Sequence, residues 1–203
     1  MMKEESLILY LIAVIISFSL ISTIINFVQM RAYPALLWIC YIADFIIITG
    51  LFSRNSKIIL SQVIILLIPD LLWIVSFLWL LISGQDLFGL SLYLPREQLS
   101  VWGKIASLQH LYVVPLSLVA IYVLKSQRDY KVLLSSFAEI AIIFLIAIFF
   151  APAGMNIDCV IQNCINVPFN FLPYGVIWFV VTFILTALSY FAIEFIPFLK
   201  EKL

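Results

Sequence analysis

Six nearly unbroken apolar runs limit what this chain can fold into. They cover roughly Leu7–Val28, Leu36–Phe52, Ile58–Ser83, Ile105–Leu124, Val132–Ala151 and Phe171–Leu199. A helix that crosses the hydrocarbon core of a bilayer needs about 20 consecutive apolar residues. Barrel strands would alternate apolar and polar positions, and these runs do not, so they read as helices. Composition agrees. The chain is 65% hydrophobic and 11% charged, whereas soluble domains carry about a quarter charged residues. The expected fold class is therefore all-α, a polytopic membrane helix bundle of about six transmembrane helices. No segment between the runs is long enough to build a core of its own, so residues 1–203 are expected to form a single transmembrane domain.

Orientation follows from the basic residues. The short charged segment Met1–Ser6 precedes the first run, which is too long for a signal peptide and lacks its small-residue cleavage site, so an uncleaved first span is expected. With the N-terminus inside, the inner segments hold Lys3, Arg54, Lys57, Lys125, Arg128, Lys131, Lys200 and Lys202, and the outer loops hold Arg31, Arg96 and Lys104. The positive-inside rule then predicts N-in/C-in topology, multi-pass in the plasma (inner) membrane. Tyr33, Trp38, Trp79, Trp102, Tyr174 and Trp178 would form the outer aromatic belt.

Several function classes are excluded. Eleven Lys plus Arg balance eleven Asp plus Glu without a basic cluster, which leaves no electrostatic footprint for nucleic acid. Phosphate loops, nucleotide fingerprints, haem ligands and redox motifs are missing, so no cofactor is expected. The expected partners are membrane lipids and a small hydrophobic or amphiphilic substrate.

Local signals shape the spans. Pro34 falls where the second helix would begin, a position that tolerates a missing N–H. Pro69 and Pro115 lie inside spans and predict bends there. The loop Gly84–Lys104 contains the apolar stretch Leu87–Leu94, which predicts a segment lying in the interface or dipping inward. Cys159 and Cys164 share the last outer loop and form a possible disulfide. A redox pair would more often read Cys-x-x-Cys.

The polar residues inside the runs carry the functional expectation. His110 is the only histidine of the chain, and an ionisable ring in hydrocarbon faces a protein interior or a wet cavity and finds a partner. Cys40 and His110 each follow their span's outer boundary by about five residues, hence lie about 8 Å deep at 1.5 Å per residue. Asp44 sits one turn below Cys40 on the same face, Asn26 reaches a similar depth from the first span, and Asp70 lies deeper. An outward-opening polar pocket around His110 is the expectation. One reading is an intramembrane lipid acyl hydrolase or acyltransferase, with Cys40 as nucleophile, His110 as general base and Asp44 or Asp70 orienting the ring. Asp70, Asn26 and Gln109 would then bind substrate. A second reading is a proton-coupled transporter, with Asp70 or Asp44 carrying the proton and His110 as relay. A third is a structural membrane protein whose polar groups only join helices. A metal held by His110, Asp44 and Asp70 fits poorly, because the carboxylates lie deeper than the ring, and no metal is expected. Glu139, about one and a half turns inside the inner face, and Glu194, at the inner interface, stand outside this site.

Two resemblances rest on particular residues. Leu37-Trp38-Ile39-Cys40, Pro69-x-Leu71-Leu72-Trp73, Ser107-Leu108-x-His110 followed by Pro115, and Asn156-Ile157-Asp158-Cys159-Val160 resemble an uncharacterised family of bacterial six-span integral membrane proteins. That resemblance covers nearly the whole chain and implies architecture without an activity. The chain departs from the family pattern at Asp158-Cys159 and at Asp70. More remotely, an early-span nucleophile followed by a histidine in the fourth span is similar in order to the androgen-induced family of intramembrane lipid hydrolases. Those use a threonine and a histidine, and Cys40 stands only near the threonine's position.

Overall fold

A computed structural model of the chain describes residues 2–91, 100–125, 129–150, 152, 156–163 and 173–196, the side chains of Met2, Lys3 and Glu194 excepted. Among the described residues seven α-helices occur: α1 Met2–Met30, α2 Ile39–Phe52, α3 Ser56–Ser83, α4 Val101–Ser107, α5 Gln109–Leu124, α6 Tyr130–Phe150 and α7 Tyr174–Ala192. No strand occurs among the described residues. Helix α3 is the axis of the bundle and packs against α2, α5, α6 and α7, while α1 packs against α2, α4 and α5.

The expectation of six spans needs correction. Four helices, α1, α3, α6 and α7, are long and apolar enough to cross a membrane, and the pair α4–α5 makes a fifth if its 42° break is counted within one span. Helix α2 has only 14 residues, about 21 Å at 1.5 Å per residue against a hydrocarbon core of about 30 Å. The cause is local. Tyr33–Leu37 forms a 3-10 turn with Pro34 in its first turn, and Trp38 then takes extended backbone, so the α-helix starts at Ile39 instead of Leu36.

Helices α3 and α5 continue past Pro69 and Pro115, and a 42° break falls at Leu108, where the chain tightens into bonds from Leu108 N–H to the Lys104 and Ile105 carbonyls.

Helix ends are built by side chains that satisfy backbone donors left open in the first turn. Asn55 accepts from Lys57 and Ile58 N–H at the start of α3, and Ser100 accepts from Gly103 N–H at the start of α4. Gly84 closes α3 in the left-handed region at φ 72°, which costs glycine nothing.

Contacts sort the connections to two ends. The α2–α3 turn meets the start of α6 through Lys57 and Asp129, 2.8 Å apart. At the opposite end Ser100 Oγ donates to Asn26 Oδ1 at 2.7 Å, and Ile39 N–H is received by Asp158 from the α6–α7 connection. The first is called here the basic end, the second the loop end.

The loop after α3 folds back along it. Ser76 Oγ donates to the Asp86 carboxylate, which also receives Phe88, Gly89 and Ser91 N–H and Ser91 Oγ. Ser76 lies eight residues before Gly84, so the segment at Asp86–Ser91 returns about 12 Å down the helix; the rest of the apolar stretch Leu87–Leu94 lies outside the described residues. Burial alone would raise the Asp86 carboxyl, but the bonds from Ser76, Ser91 and the Ser91 and Gly89 N–H groups outweigh it and bring its pKa to about 2.

Candidate functional site

Helix α3 carries Asp70 and Trp73 one turn apart, and the Leu108 break delivers His110 from α5 to both. His110 Nδ1 lies 2.8 Å from Asp70 Oδ1, and its ring lies over Trp73 with centroids 4.8 Å apart and planes at 35°. Asp70 is almost wholly buried, while 16% of the His110 side chain remains accessible. An ionised carboxylate only accepts, so with Asp70 ionised the contact is an Nδ1–H donated to it. The ring thus has a buried partner and keeps partial access.

A band of polar groups surrounds the pair. Ser19 on α1 donates to Gln109 Oε1 at 3.2 Å, and Tyr112 lies near both Ser19 and Asp44. Asp44 is 1% exposed and within electrostatic range of Asp70. Neither of its oxygens finds a hydrogen-bond partner among the described residues, and the same holds for Gln109 Nε2 and Thr23 Oγ1. Buried polar atoms without partners are costly. Of these, Asp44 lies within electrostatic range of Asp70 and Gln109 adjoins His110 on α5.

The sequence-predicted residues separate accordingly. The structure brings together His110 and Asp70, and sets Asp44 and Gln109 in the band around them. Asn26 is engaged elsewhere, holding the end of α1 to the start of α4 through Ser100. Cys40 is a buried free thiol in the first turn of α2, in range of the carboxylates Asp158, Asp44 and Asp70. No hydrogen bond joins it to His110, so a nucleophile activated by that ring has no geometry behind it here. Cys159 is disulfide-bonded; Cys164, the other half of the possible disulfide, lies outside the described residues.

Next to Cys159 stands a residue that the sequence reading left without a role. Asp158 holds Ile39 N–H with both oxygens, at 3.0 and 3.1 Å, and its own carbonyl accepts from Trp178 Nε1 at 2.6 Å. It sits in the left-handed region at φ 49°, with Ile157 and Val160 packed beside Ala147, Phe144 and Trp178. Burial pushes its carboxyl up to a pKa of about 7, against the pull of the Ile39 N–H. Trp73 was also missed, although Asp70-x-x-Trp73 is the i, i+3 spacing that puts two side chains on one face.

Comparisons with known protein families, with curated proteins and with solved structures return no match for this chain.

Proposed function

We propose that this chain is a proton-coupled carrier of a small or amphiphilic molecule, in which Asp70 and His110 bind and release the coupling proton. The observation that carries this reading is the 2.8 Å contact between the two, on helices that meet inside an apolar bundle. Ionisable groups at such depth mark proton or ion pathways more often than not. The open carboxylate of Asp44 nearby gives a transferred proton or cation a second place to rest. The basic residues Arg54, Lys57, Lys125 and Lys131 support the basic end as the inner side, which would put the His110 end toward the exterior.

The test is proton movement in sealed proteoliposomes, driven by a potassium diffusion potential and read by an internal pH dye. The intact protein is expected to admit protons, and Asp70→Asn and His110→Gln to lose that flux while remaining folded. If both variants keep the flux, or if the intact protein has none above empty vesicles, the reading fails.

A further inference from the structure

At the basic end, far from His110, lies a second polar site that the sequence reading set aside. A cavity of about 580 Å³, within the range of about 300–1,000 Å³ of small-molecule sites, opens between α2 and α6 with α3 as its floor. Its walls are apolar: Phe45 and Ile46 on α2, Ile58 on α3 and Val132 on α6. At its rim Lys57 and Asp129 neutralise each other at 2.8 Å, and Lys131 stands exposed beside them.

The floor holds the informative atoms. Gln62 is 1% exposed, and its Nε2 donates to Glu139 Oε2 at 2.7 Å and to Ser61 Oγ at 3.1 Å. Both N–H bonds of the amide are therefore spent. What stays open is Gln62 Oε1 and Glu139 Oε1, neither of which has a partner among the described residues. With the carboxylate ionised, the floor offers acceptors only, so a satisfying occupant must donate. A phosphate or carboxylate brings none. An ammonium brings three donors and a charge that balances Glu139.

We propose that this groove binds the ammonium end of a single-chain amphiphile on Gln62 and Glu139, with its alkyl chain along Phe45, Ile46, Ile58 and Val132. Gln62 lies five residues beyond Lys57, so the head would sit about 8 Å below the rim. This site stands on its own observations and does not depend on proton coupling at His110.

Protection from labelling tests it. Ser135 lines the groove and is exposed, so Ser135→Cys gives a reporter for a maleimide, with the unsubstituted chain as the Cys40 background. In nanodiscs, dodecylammonium is expected to slow labelling several-fold, and dodecyl sulfate and dodecyltrimethylammonium, which lacks N–H donors, to leave it unchanged. Glu139→Gln should abolish the protection. Thr49→Trp, which fills the groove from its exposed edge without touching the floor, should abolish it too and decides the matter should Glu139→Gln not fold. Equal protection by the sulfate or the quaternary amine, or protection that survives Thr49→Trp or a folded Glu139→Gln, overturns the proposal.

Discussion

Among the polar side chains of helix α3, Gln62 and Asp70 meet different fates. They are eight residues apart, about 12 Å along the axis and about 80° around it, with Val63, Ile64, Ile65 and Leu66 buried between them. Asp70 turns to α5 and meets His110 at 2.8 Å, under the cover of Trp73. Gln62 turns to α6 and meets Glu139 at 2.7 Å, but above an open cavity and with an acceptor idle on each partner. A pair that is closed on itself holds two helices together and exchanges at most a proton. A pair with open acceptors over a cavity has room for a molecule. The contrast shows that intramembrane polarity is of two kinds in this chain, and only contacts distinguish them.

The contrast can be broken most directly at the closed pair. Asp70→Leu or His110→Leu strands a buried partner, and a loss of about 3–5 kcal/mol is expected in unfolding titrations in mixed micelles. Asp70→Asn keeps an acceptor for the ring and should lose much less. At the open pair, Glu139→Leu removes one acceptor from Gln62 and should cost about 1–3 kcal/mol, while Gln62→Leu combined with Glu139→Leu should recover most of it, because no polar atom is then left alone. If the two sites respond alike, the distinction between them is lost.

Smaller effects belong to the capped start of α2. Asp158→Ala leaves Ile39 N–H open and should cost about 1 kcal/mol. The pH dependence has a definite sign. With the folded carboxyl raised to about 7 from an ordinary 3.8, the folded chain keeps a proton that the unfolded chain has released. This contribution is full below about pH 4, falls as pH rises toward about 7 and is flat above. Asp158→Asn should flatten that part of the thermal-midpoint profile. Smallest of all, maleimide labelling of Cys40 should be the same with and without His110→Gln, which keeps a donor for Asp70, since no bond joins Cys40 to the ring.

Much of the architecture was legible in the apolar runs, because bilayer thickness dictates helix length directly. The second span was only partly so: Pro34 marks a break near its start, but the 3-10 turn and extended Trp38 push the α-helix on to Ile39, whose N–H is held by Asp158 from 119 residues away. Depth matching set Cys40 beside His110 and offered Asp44 or Asp70 to orient the ring; the contact present is to Asp70, because depth says nothing about which faces meet. The Gln62–Glu139 contact was equally hidden, since the two lie five residues past Lys57 and eight past Lys131 and so at unequal counted depths. The break at Leu108, which delivers His110 to Asp70, comes from a tightened turn with no proline at that position and left no mark in the sequence.

Because the chain has one histidine, its ring can be watched alone. Protein labelled with ¹⁵N-histidine and reconstituted in sealed vesicles should show a single imidazole whose Nδ1 signal reports the hydrogen bond to Asp70, and Asp70→Asn should shift it. A ring whose nitrogen signals are the same with and without the Asp70 carboxylate would contradict a working pair at this site.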